Sequence, residues 1–297
     1  MSTQVPRLFA GLVDDAAVFP PGSASLPDAL AAHRGHRVAW YADLVGPLLL
    51  PASRLPELAE LLDADERIAV GMIGDVPVDR LAEARADADP RIEVRQIEAA
   101  VAKRGEDPLP GLTALIDLAR RTAGPAVTAG PRDVAGLDWY AEIPLTFGLM
   151  GALDALAAAR ADGVPIAAKF RTGGLAAELF PTPVELAAVI GACRDRDLPF
   201  KLTAGLHHAT RHLDPETGFT HHGFGNVLAA TLAAAEGAEV DAVAALLAAT
   251  DPLPLAEQAR AWRDAERPVW VGFGSCSILE PLTDLIRLRL VNGRFDR

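Results

Sequence analysis

Residues 165–174 read PIAAKFRTGG and residues 199–205 read PFKLTAG, placing Lys169 and Lys201 at a 32-residue interval. Each run opens on proline, carries mainly apolar residues and closes at glycine, as a short strand running into a turn does. Between them Thr182-Pro183-Val184-Glu185 combines a capping box with proline at the first helical position. Leu186, Val189, Ile190 and Cys193 follow at helical spacing. The order is strand, helix, strand.

The same alternation extends in both directions. Apolar or β-branched runs stand at about 8–13 (LFAGLV), 46–50 (GPLLL), 67–73 (RIAVGMI), 91–97 (RIEVRQI) and 139–145 (WYAEIPL), and again at 268–274 (PVWVGFG). With the two quoted runs, read as strands at 165–171 and 199–204, this makes eight. One helix-length segment fills every gap except the last, from Phe224 to Arg267, which holds more. Ser25 and Asp28 bracket an early helix start, and Ser277-Ile278-Leu279-Glu280 is a second capping box directly after the final strand. Eight alternations in 297 residues match the size and order of an α/β fold closed on itself, a single (β/α)8 (TIM) barrel over residues 1–297. An open doubly wound sheet uses the same local pattern, but no dinucleotide glycine fingerprint follows the first strand.

Half of the residues are hydrophobic, yet no apolar run approaches the ~20 residues that a membrane span needs. The formal net charge is −12, with Lys and Arg scattered along the chain. Nucleic acid and anionic membrane surfaces both reward a contiguous basic face, so neither is an expected partner. An anionic small-molecule substrate stays compatible, because a local pocket can be basic on an acidic protein. Cys193 and Cys276 are too few for a disulfide scaffold, and Met1 to Arg7 lacks a signal-peptide pattern, so a cytoplasmic location is expected. No cofactor is expected, no metal site is assigned, and assembly into a homo-oligomer is left open.

In a barrel, side chains alternate between the interior and the helix layer. Ile166, Ala168 and Phe170 suit the helix layer, which turns Ala167, Lys169 and Arg171 inward. Phe200 and Leu202 likewise leave Lys201 and Thr203 inward. Adjacent strands lie ~4.8 Å apart, and two ammonium groups that close should lower each other's pKa. A neutral lysine amine can form a Schiff base with a carbonyl substrate. The other reading is that each lysine pairs with a carboxylate such as Glu142, filling the interior with ion pairs.

Glu142 shares parity with Tyr140 and is the best inward acid on the fifth strand. Of Asp14 and Asp15, alternation sends one inward. Arg171 beside Thr172-Gly173-Gly174 suits a carboxylate or phosphate, although the glycines also serve a tight turn. Gly223-Phe224-Gly225-Asn226 opens a helix whose N-terminus could hold an anion. The polar segment from Thr203 to Gly225 carries the pairs His207-His208 and His221-His222 and should lie over the catalytic mouth. One histidine from each pair, with Glu142 or Asp14, would make a zinc ligand set. General acid/base or substrate-contact roles, or ordinary loop hydrogen bonds, are the other readings. Cys276 lies close to the rim with nothing nearby in sequence to mark a reactive thiolate, and Cys193 reads as helix core.

Lys169-x-x-Thr172-Gly173 and Lys201-x-x-Ala204-Gly205 resemble the paired lysine motifs on strands six and seven of the class I deoxyribose-phosphate aldolase family. The resemblance implies that Lys169 is the Schiff-base lysine and that Lys201 tunes it. Gly272-Phe273-Gly274-Ser275 is similar to the phosphate-holding turn of such barrels. The likeness covers strands six to eight. The family pattern lacks the Leu206-His207-His208 continuation and the His221-His222 pair, and its strand-four aspartate falls where this chain reads Arg95-Gln96-Ile97-Glu98.

The expected function is therefore carbonyl chemistry on a small substrate, a carbon–carbon lyase with Lys169 as nucleophile and Lys201 lowering its pKa. Glu142 or Asp14 would move the proton, and His207 or His208 would assist. Arg171, Thr172, Gly173, Thr203, Gly274 and Ser275 would contact the substrate. The rivals are a metal-dependent hydrolase or lyase using the histidine segment, and a non-catalytic small-molecule-binding barrel.

Overall fold

The computed structural model describes residues 5–122 and 137–293. The barrel strands are β1 (Val13–Asp15), β2 (Val45–Pro51), β3 (Ile68–Ile73), β4 (Ile92–Ala100), β5 (Asp138–Glu142), β6 (Ile166–Arg171), β7 (Phe200–Thr203) and β10 (Trp270–Ser275). They form a closed barrel in the order β1-β10-β7-β6-β5-β4-β3-β2. A separate antiparallel pair joins β8 (His212–Leu213) to β9 (Thr220–His221). The fold is a (β/α)8 barrel. By packing, the chain divides into two compact units, Met1–Gly46 with Arg171–Arg297, and Pro47–Phe170.

The helices fall where the strand spacing requires them. These are α1 (Leu26–Val38), α2 (Leu55–Leu61), α3 (Val78–Ala86), α4 (Leu109–Thr122), α5 (Leu149–Ala161) and α6 (Pro183–Asp195). The long final gap holds α7 (Phe224–Ala235), α8 (Val240–Ala248) and α9 (Pro252–Ala261), and α10 (Leu279–Arg287) follows the last strand. Seven expected strands agree with the observed ones to within a few residues. The first does not: Arg7–Phe9 is a 3-10 turn, and the strand begins only at Val13. Among the described residues no helix is long and apolar enough to cross a membrane.

The capping signals divide. Thr182 and Glu185 form the complete reciprocal box at the start of α6, and the Ser25 hydroxyl accepts the Asp28 N–H at the start of α1. At α10 only half a box is made. The Ser277 hydroxyl accepts the Glu280 N–H at 3.2 Å, while the Glu280 carboxylate turns to His207 instead. Residues 272–275, expected as a phosphate-holding turn, are part of β10 and pair with β1 and β7.

One irregularity decides which face carries charge. The pairing of β3 with β4 slips between Val70 and Gly71, so that Val94 lies opposite Val70 but Gln96 lies opposite Gly71. Arg95 is the extra residue, and an extra residue reverses the side-chain phase beyond it. Gln96 and Glu98 therefore leave the face of Ile92 and Val94. Gly71 makes room for this, since a Cβ there would meet Gln96 Nε2 at 2.7 Å and Leu49 Cδ2 at 2.4 Å.

Candidate active site

Within the unit Pro47–Phe170, the registers place Glu98 opposite Tyr140 and Glu142 opposite Lys169. Lys169 Nζ is 2.7 Å from Glu98 Oε2 and 2.7 Å from Glu142 Oε2. Glu98 also accepts from Gln96 Nε2 at 2.9 Å. Lys169 is 4 % exposed and Glu98 1 %. An isolated buried ammonium would lose its proton. Burial does act against the charge on Lys169, but the carboxylates of Glu142 and Glu98 outweigh it and hold the pKa above the ordinary lysine value. The expected neutral, lowered-pKa lysine is thus corrected: Lys169 rests as an ammonium because two carboxylates flank it. The alternative pairing with Glu142 is present, and Glu98 is added to it.

Lys201, in the other unit, is buried on β7 and ion-pairs with Asp14 of β1. Asp14 and Asp15 divide as alternation requires. Asp15 turns to α1, where its Oδ2 lies 2.9 Å from His33 Nδ1, both side chains being buried. Gly46 permits the Asp14 position, because a Cβ there would lie 1.8 Å from Asp14 Oδ1. Gly274 stands in register with Asp14 on one side and Thr203 on the other.

Several expected substrate contacts are engaged elsewhere. The buried Thr172 hydroxyl donates to the Ala204 carbonyl at 2.6 Å, and its N–H donates to the Thr203 carbonyl at 2.9 Å. Gly173 is buried, with its Cβ position 3.2 Å from the Ala204 carbonyl oxygen. The Ser275 hydroxyl donates to the Ser277 carbonyl at 2.8 Å. Arg171, expected inward, is exposed at the end of β6. At the start of α7, Phe224 and Gly225 donate their N–H groups to the His208 and Ala209 carbonyls, both at 2.9 Å. Asn226 accepts from Arg211 N–H and donates to the Leu246 and Ala249 carbonyls. That helix start is therefore closed by the chain itself and does not present the expected anion site.

The histidines are likewise committed. His207 Nδ1 lies 2.8 Å from Glu280 Oε2, and His208 Nδ1 lies 3.3 Å from Asp284 Oδ2. His222 is buried, donates from Nε2 to the Pro181 carbonyl at 2.7 Å and accepts from Arg211 at 3.2 Å. Burial, helped by the Arg211 charge, pushes its pKa down to about 4, although the Pro181 carbonyl acts the other way. His221 is also shifted down, chiefly by burial. His212, four residues after His208 and without a sequence motif to mark it, stacks on His221 and meets His208 edge-on. The alternative reading, a zinc set of one histidine per pair with Asp14 or Glu142, is not assembled among the described residues. Among the described residues no group of three or more His, Cys, Asp or Glu is arranged to hold a metal ion.

Glu98, Gln96, His33 and the neighbourhood of Cys276 were not assigned from sequence. The first two are hidden by the β4 irregularity, which simple alternation cannot see. His33 needs the helix packed on its strand. Cys276 lies 3.9 Å from His207 Nε2, a contact between residues 69 positions apart.

The class is that of a parallel (β/α)8 barrel with a buried lysine–carboxylate cluster toward the carboxyl ends of its strands. No protein-family model, curated protein or solved structure matches the chain.

Proposed function

We propose that this barrel catalyses carbonyl chemistry on a small substrate, as a Schiff-base carbon–carbon lyase with Lys169 as the nucleophile. The observation that supports the reading is the Lys169 ammonium held 2.7 Å from each of two carboxylates on neighbouring strands. As a carbonyl compound enters, one carboxylate takes a proton from the ammonium. The freed amine attacks the carbonyl carbon to give a carbinolamine. The protonated carboxyl then returns its proton to the hydroxyl, which leaves as water. The resulting iminium accepts the electron pair of the Cα–Cβ bond as a carboxylate takes the β-hydroxyl proton, which releases a carbonyl fragment, and the enamine left on the lysine is reprotonated at carbon to the iminium. Hydrolysis restores the lysine. Glu98 and Glu142 supply both proton acceptor and proton donor.

The raised pKa of Lys169 favours one further reading. The ammonium stays charged and stabilises a developing enolate while a carboxylate moves the carbon-bound proton. Both readings predict exchange of the hydrogens next to the carbonyl. Short aldehydes, ketoses and 2-oxo acids incubated in deuterated water should show this by NMR with the wild type and not with Lys169→Met. No exchange with any of these compounds, or equal exchange by the variant, would contradict both.

A further inference from the structure

We infer that Cys276, His207 and Glu280 form a separate nucleophilic centre for an activated acyl group, such as a thioester or aryl ester. Cys276 directly follows β10, His207 lies in the segment after β7, and Glu280 is in the first turn of α10. All belong to one compact unit. The Glu280 Oε2 contact at 2.8 Å puts the imidazole proton on Nδ1 and leaves Nε2 as the acceptor for the thiol. Cys276 Sγ stands 3.9 Å from Nε2 and 4.0 Å from Nδ1, nearly equidistant from the two ring nitrogens. The Nε2 contact is long, and catalytic hydrogen bonds are commonly loose before substrate binds.

The surroundings suit a reacting thiol. Cys276 is half-buried, and His207 is mostly covered. Burial alone would favour the neutral ring, but contacts with Cys276 and Glu280 outweigh it and raise the His207 pKa. The loop after β1 packs against the cysteine, since a Cβ at Gly22 would lie 2.9 Å from Cys276 Cβ. Cys276 also precedes α10 by three residues, near a helix N-terminus that favours developing negative charge. Cys193 provides the contrast: burial in α6 pushes its thiol up to about 12.

In the first step His207 takes the thiol proton and sulfur attacks the acyl carbon. A carbon–sulfur bond forms, the bond to the leaving group breaks, and His207 passes the proton to that group. Water, activated by His207, then hydrolyses the thioester to a carboxylic acid and restores the thiol. Glu280 acts through the ring as a positioning residue.

The test uses the full chain with p-nitrophenyl acetate. A burst of about one equivalent of nitrophenolate is expected, with the acetyl group found on the Cys276 peptide by mass spectrometry. Cys276→Ser should abolish the burst. His207→Gln should slow acylation by about 100-fold, with His207→Asn as a second variant should the first fail to fold. Glu280→Gln should slow it less and move its pH profile. Acetylation of Cys276 no faster than of free cysteine, no response to either His207 variant, or acetylation confined to lysines would overturn the proposal. The outcome is independent of Lys169, whose test uses carbonyl compounds.

Discussion

Lys169 and His222 are both buried bases, and burial opposes charge on each, yet their pKa values move in opposite directions. Lys169 has two carboxylates at 2.7 Å and is shifted up. His222 has a backbone carbonyl and a guanidinium, and is pushed down to about 4. Desolvation is common to both; the partners decide the sign. At neutral pH the lysine between two acids stays charged, whereas the ring between a carbonyl and an arginine stays neutral and joins two segments. The proposed function uses the first, and the second is a structural tie.

The largest expected effect comes from removing the lysine. Lys169→Met leaves two buried carboxylates without their shared cation and should lower unfolding stability in urea by about 3–5 kcal/mol. The sign follows from the raised pKa. The Lys169 contribution is present below the ordinary value of 10.5 and is lost as pH rises through the higher folded value. Wild-type stability should consequently fall more steeply above that pH than the stability of the variant.

His222 should act at the other end of the scale. With the folded pKa depressed from 6.5 to about 4, its contribution is present above 6.5 and is lost as pH falls toward 4. The loss should reach about 3 kcal/mol, and urea midpoints at the two pH values should converge in His222→Asn. A wild type as stable at pH 4 as at neutrality would contradict a depressed His222 pKa.

A buried uncharged group should cost less than either. Thr172→Val removes the hydroxyl donor from the Ala204 carbonyl and should cost about 1–2 kcal/mol in the same titration. Smallest is Arg211→Gln. Removing the charge should raise the His222 pKa, read by NMR, with little change in stability at neutral pH; an unmoved pKa would show that the guanidinium takes no part.

The barrel was legible because its signals are local. Alternating runs, the Thr182–Glu185 capping box and the count of eight each depend on neighbours in sequence. The inward lysines on β6 and β7 and the division of Asp14 from Asp15 follow from the same period of two. Glu98 was not legible, because one extra residue at Arg95 reverses its face and only pairing with β3 reveals the slip. The charge state of Lys169 depends on that residue, so the neutral-lysine expectation failed at the same point. The glycine runs at 223–226 and 272–275 misled for the converse reason. Their backbone groups are taken up by Ala209, His208 and strand pairing, partners that no short motif displays.

The most direct test of the central claim is borohydride reduction of the full chain in the presence of short aldehydes, ketoses and 2-oxo acids, followed by peptide mass mapping. Schiff-base chemistry should leave a reduced adduct on Lys169 with at least one of them, absent from Lys169→Met and weakened in Glu98→Gln. Adducts only on exposed lysines, or none with any compound while hydrogen exchange still proceeds, would contradict Schiff-base chemistry and leave Lys169 as a charged stabiliser.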